Sequence, residues 1–96
     1  MLDTNNRVAM INYIDRAIDD AYRMGYRVHL NAELVNPYNK TVCPIGAVML
    51  TRPRNPINKR WMVIFMHAFS GLVHKEASKE PLAHDLGKTY RRLLIS

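Results

Sequence analysis

The sequence predicts an α+β domain, mostly α, with three to four helices packed around one central hydrophobic helix and one short β-hairpin. Apolar residues recur at helical spacing over 8–22 and again over 57–72. A turn-forming stretch at 36–40 separates two short apolar or β-branched pairs. Gly25 and the prolines at 53 and 56 punctuate these segments, because each disfavours continued helix.

The first helix is expected to start after Asp3 or Thr4, either of which can accept a hydrogen bond from a free first-turn amide. Val8, Ile11, Ile14, Ile18, Ala21 and Tyr22 form its apolar face, with Asn12, Asp15, Arg16, Asp19 and Arg23 outside. Arg16–Asp20 and Asp19–Arg23 are expected to pair across one turn, each for ~0.2–0.5 kcal/mol. Gly25 stops the helix.

Residues 26–43 lack a helical period. Asn36, Pro37 and Asn39 supply turn chemistry between Leu34-Val35 and Thr41-Val42, so a hairpin is expected near 33–43. Two short strands are marginal alone and must lean on helices. A short second helix begins at Pro44, where the missing N–H costs nothing. Arg52-Pro53 ends it.

A third helix is expected from Asn58 to Leu72. Ile57, Trp61, Ile64, Phe65, Ala68, Phe69 and Leu72 make one stripe, which Met62, Val63 and Met66 widen beyond a normal face. A helix apolar nearly all round is either central or shared with a second chain. His74 to Glu80 reads as a loop. The last helix begins at Pro81 and carries Leu82, Leu86, Tyr90, Leu93 and Leu94 inward.

Ninety-six residues make a single domain, 1–96, with a thin core. The longest apolar run, from Trp61 to Phe69, is interrupted by His67 and is too short for a membrane span. No apolar leader with a cleavage site stands at 1–7, and the single cysteine cannot form an internal disulfide, so a reducing cytoplasm is the expected location. The net charge of +6 is uneven: residues 1–25 sum to −1, 26–60 to +5 and 61–96 to +2. A one-sided basic field attracts phosphates or an acidic protein surface.

Cys43 is the most reactive-looking residue. A thiol just before a helix start feels the positive end of the dipole, which favours the thiolate, and one of His29, His67, His74 or His84 could act as its base. The plainer expectation is a buried thiol packing as a small hydrophobe. The histidine spacings make no metal site: His67 and His74 share a face only if a helix ran through Gly71. Asp15, Asp19 and Asp20 are interleaved with arginines and read as a solvated face. Gly46 and Gly87 stand inside helical patterns at a cost of about 1 kcal/mol each, which points to close approach of neighbouring helices. No catalytic residue, metal or cofactor is expected.

Two segments carry a resemblance. Cys43-Pro44-Ile45-Gly46-Ala47-Val48-Met49-Leu50 resembles a Cys-Pro-Leu-Gly-Ala-Leu signature. Phe65 to Gly71, followed by Leu86-Gly87-Lys88-Thr89-Tyr90-Arg91, is similar to a Phe, Gly-Phe-Asp-Gly, Leu-Gly, Tyr-Arg pattern, departing from it at Ala68 and Ser70. Together they resemble a loose group of small phage and bacterial proteins. The resemblance implies a compact helical module with a hairpin and brings no activity with it.

The expected function is that of a non-enzymatic protein-binding module of phage or prophage type. It would occupy a surface of a larger bacterial complex, for example as an inhibitor of a host defence system. The residues expected to meet an acidic partner are Arg52, Arg54, Lys59 and Arg60, with Lys88, Arg91 and Arg92 as a second cluster. Met62, Val63 and Met66 are an expected apolar interface that a second copy of the chain could also cover. The alternative is a nucleic-acid-binding accessory protein whose two basic clusters straddle a phosphate backbone. The sequence shows no helix-turn-helix glycine pattern, zinc ligands or aromatic ribonucleoprotein motif in its support.

Overall fold

The computed structural model describes residues 1–30 and 34–95. Among these, four α-helices and a three-stranded sheet follow one another as α1 (Arg7–Arg23), β1 (Arg27–Val28), β2 (Val35–Asn36), β3 (Thr41–Val42), α2 (Pro44–Thr51), α3 (Lys59–Phe69), a 3-10 turn (Ala77–Lys79) and α4 (Pro81–Ile95). The α+β class with a small β element is as the sequence predicts.

The start of α1 differs from expectation. The Asn6 amide donates to the Asp3 carbonyl (3.1 Å) and the Asn5 amide to Asp3 Oδ1 (2.9 Å), so residues 3–6 form a turn of their own. The cap therefore falls to Asn6, whose Oδ1 accepts from the Ala9 amide at 3.0 Å. The buried face is Met10, Ile14, Ala17 and Ala21. Val8 and Tyr22, expected inside, are exposed, because the face that docks is rotated toward Met10. Asp20 binds Arg23 (3.2 Å) and Arg52 at the end of α2 (2.7 Å) rather than Arg16. Gly25, at φ +89°, ends the segment.

The hairpin forms with Val35 opposite Val42 and Asn36 opposite Thr41; residue 33 lies outside the described residues. Asn36 Oδ1 accepts from the Tyr38 and Asn39 amides, both at 3.1 Å, which ties the turn. A strand that the periodicity does not announce joins it: β1 pairs with β3 in parallel, giving the order β1-β3-β2. Two residues are too few to show a strand's alternation. Tyr26, buried just before β1, carries Lys40 over its ring at 4.8 Å from the centroid.

Helix α2 is buried on every side through its first turn, Pro44 to Val48. Gly46 permits this: a Cβ there would lie 1.4 Å from the Leu34 carbonyl oxygen. The close neighbour is thus the chain leading into β2, not another helix as expected. Helix α3 buries Trp61, Ile64, Phe65, Ala68 and Phe69, and its aromatics stack along one side, with Trp61 and Phe65 centroids 5.7 Å apart and Phe65 and Phe69 6.3 Å apart. It stops at Phe69, short of Leu72, because Ser70 caps it and Gly71 turns at φ +85°. Leu72 is consequently exposed.

Helices α3 and α4 run in the same direction. Arg60 near the start of α3 binds Glu80 just before α4 (3.2 Å), Phe65 and Ala68 lie against Gly87, and Arg91 donates to the Phe69 carbonyl (2.9 Å). Parallel neighbours need a connection that runs back along them. Residues 70–80 do this, and the stretch expected as plain loop tightens into the 3-10 turn. Tyr90 crosses to α1 and donates to Asp15 Oδ1 at 2.6 Å; burial first, then this bond, hold its phenol above the usual tyrosine range. Leu93 and Leu94, expected inside, are exposed, because α4 continues past the end of α3.

At Gly87 a Cβ would stand 2.5 Å from the Phe65 carbonyl oxygen and 2.7 Å from the Ala68 Cβ. Gly87→Ala should therefore destabilise the fold by about 1–3 kcal/mol through overpacking, despite a gain of up to ~1 kcal/mol in helix propensity. Urea unfolding of the two proteins checks this, and a midpoint that rises in the variant would mean the helices are not in contact there.

Candidate functional site

The two basic clusters do not form one surface. Lys59 and Arg60 start α3, whereas Arg91 lies at its end, about 15 Å away along an eleven-residue helix. Within the first cluster, Arg52 turns inward to Asp20 and stands over the Tyr13 ring, 5.9 Å from its centroid. Arg60 turns to the nearly buried Glu80. Arg54 and Lys59 remain exposed, with no ion pair among the described residues. Met62, Val63 and Met66, expected as an apolar interface, are half-buried, and Met62 and Met66 pack against the core.

The second cluster has a different setting. Where α4 outruns α3, a groove of about 320 Å³ opens between the second half of α4 and the turn that follows α3. Lys88, Arg91 and Arg92 supply its charge, and Leu72, Val73 and Ile95 its exposed apolar wall. Arg91 is fixed by the carbonyl at the end of α3, which a cation suits both as donor and against the helix dipole. Arg92 makes a long bond to Thr89 Oγ1 (3.4 Å), and among the described residues neither Arg92 nor Lys88 has an ion pair. Among the described residues no carboxylate lines the groove: Glu76 is bound to Lys79, Glu80 to Arg60 and Asp85 to Arg7. His84 also lines it, and its Nδ1 is buried with no hydrogen-bond partner among the described residues. The sequence identifies the three cations but not their apolar companions, since periodicity assigns Leu72 to the core and gives Val73 and Ile95 no place.

Cys43 is buried at the start of α2, and its Sγ accepts from the Gly46 amide at 3.2 Å. Burial raises its pKa and outweighs the backbone hydrogen bonds that lower it, so the thiol form is favoured, in keeping with the plainer expectation of a buried thiol. His67 and His74 do meet, edge to face at 4.8 Å, because the chain folds back after Gly71 instead of continuing as a helix. Their Nδ1 atoms already contact the Val63 carbonyl and the Glu76 amide. Among the described residues no three His, Cys, Asp or Glu side chains gather as a metal site, and no helix is long and apolar enough to cross a membrane.

No protein-family model, no curated protein and no solved structure matches the chain.

Two measurements check the local chemistry. The Cys43 thiol should react with an alkylating reagent at pH 7 at least about a hundredfold more slowly in native protein than in denaturant, since labelling must wait for opening. Rapid native labelling would place the thiol at the surface. The hydrogen bond from Arg52, the main cause, holds the Asp20 carboxyl below its usual range. Its contribution is present above the unfolded pKa of about 4 and is lost as pH falls through the lower folded value. The stability gap between wild type and Arg52→Gln should thus be widest near neutrality and shrink on acidification; a gap independent of pH would deny the pair that role.

Proposed function

We propose that the chain is a non-enzymatic protein-binding module that engages an acidic, partly apolar segment of its partner through the groove at the end of α3 and α4. One observation carries this reading: Lys88, Arg91 and Arg92 stand beside exposed Leu72, Val73 and Ile95, with no carboxylate of the described chain among them. Exposed aliphatic side chains grouped on a small protein mark interaction surfaces, and the adjoining charge selects the sign of the partner. Action by occupation of a surface suits the resemblance to small phage proteins, and inhibition of a host defence complex is one form it would take. A cytoplasmic setting belongs to the same reading.

The nucleic-acid alternative is weaker. Arg52 and Arg60 are engaged by Asp20 and Glu80, and the two clusters occupy opposite ends of α3.

Immobilised wild type, Lys88→Glu/Arg92→Glu and Arg54→Glu/Lys59→Glu, each exposed to nuclease-treated bacterial lysate, test the proposal. Wild type and the Arg54/Lys59 variant should retain the same protein, which the Lys88/Arg92 variant loses by about tenfold or more. Equal retention by all three overturns the assignment, as does loss confined to the Arg54/Lys59 variant. Material retained only when nuclease is omitted would point to nucleic acid instead.

A further inference from the structure

We propose that the groove seats the C-terminal carboxylate of a partner chain whose last side chain is apolar. This rests on the protein-binding reading above and names the chemistry recognised.

The groove measures about 320 Å³. Each water takes about 30 Å³ of liquid volume, so the space suits one or two residues. What the space itself takes in is therefore a short piece of chain.

Charge and apolar wall share this one small space. Lys88 and Arg91 lie one turn apart on α4, while Ala68, Leu72 and Val73 face them from the end of α3 and its turn. In an extended segment an internal Asp or Glu shares its face only with side chains two residues away, so acid and apolar group together take three residues, more than the one or two that the space suits. The internal carboxylate would enter while the adjacent apolar side chain left. A terminal residue carries its carboxylate and its side chain on the same Cα, so both enter together. Chain termini are recognised in this way by cationic and backbone donors elsewhere.

The groove is also prepared for an anion. Arg91 is held in place by its bond to the Phe69 carbonyl (2.9 Å), which leaves other guanidinium donors for a ligand. Lys88 makes no ion pair with a carboxylate among the described residues. His84 lines the same space with an unpaired Nδ1, and a half-turn of the imidazole about its Cβ–Cγ bond exchanges the positions of its ring atoms.

Amide chemical shifts of the ¹⁵N-labelled full chain, titrated with small probes, test this. Acetyl-isoleucyl-leucine with a free carboxylate should shift residues 71–73 and 88–92 and saturate at millimolar concentration, and its C-terminal amide should bind about tenfold more weakly. Acetyl-aspartyl-leucine amide, which carries its acid internally, should fall with the amide. Lys88→Gln and Val73→Asp, both at exposed positions, should each weaken the free acid about fivefold or more, and Arg54→Gln should not. Equal binding of acid and amide overturns the proposal. Equal binding of the internal acid and the free acid overturns the terminal assignment while leaving the acidic-segment reading intact. Absence of any shift up to about 10 mM overturns it too, whereas the lysate comparison alone decides the protein-binding reading.

Discussion

The rest of the structure depends on how closely α4 lies against α3. A glycine at 87 lets the α4 backbone rest on the Phe65 carbonyl and the Ala68 side chain. That contact sets Tyr90 against Phe65, with ring centroids 5.8 Å apart, and within reach of Asp15 on α1. It also places Arg91 at the last carbonyls of α3. Since the two helices are parallel and α4 is longer, their far ends cannot close on each other. The groove is the geometric remainder of that mismatch.

The fold also sorts the charges. Arg52 and Arg60 act as clamps, one joining α2 to α1 through Asp20 and the other joining α3 to the start of α4 through Glu80. Arg7 joins α1 to α4 through Asp85. These bridges draw acidic side chains toward the junctions between helices and away from the α4 end. Surface ion pairs of this kind add little stability each. Their effect on where uncompensated charge remains is larger, and Lys88 and Arg92 are left beside aliphatic side chains as a result.

Much of the architecture was legible because helical periodicity reports burial directly. Trp61, Ile64, Phe65, Ala68 and Phe69 were read as one buried stripe and are one. Gly25, Pro44 and Pro53 mark boundaries through dihedral and hydrogen-bond constraints that hold in any context. Three kinds of information were not local. β1 pairs with a strand more than ten residues away, and its two residues carry no pattern. The cap of α1 depends on a turn whose carbonyls also serve the core, since Trp61 Nε1 donates to the Thr4 carbonyl at 3.0 Å. The third kind is the exposure of Leu72, Leu93 and Leu94, which follows from where each helix ends relative to its neighbour. The groove was legible only in part for this reason: its cations stand out in the sequence, but of its apolar wall periodicity assigns Leu72 to the core and is silent on Val73 and Ile95.

The return segment between α3 and α4 has one more consequence. Around Leu72 and Val73 the chain is exposed, and the bonds that hold α4 in place, at Arg7, Asp15, Glu80 and Phe69, lie elsewhere. The covalent link there acts as a tether that keeps α4 at high local concentration instead of bracing it. A backbone nick between Leu72 and Val73 would sever none of those bonds: the fragment ending at Leu72 would keep most of the buried side chains, and the other would bring Ala83, Leu86 and Tyr90 to them.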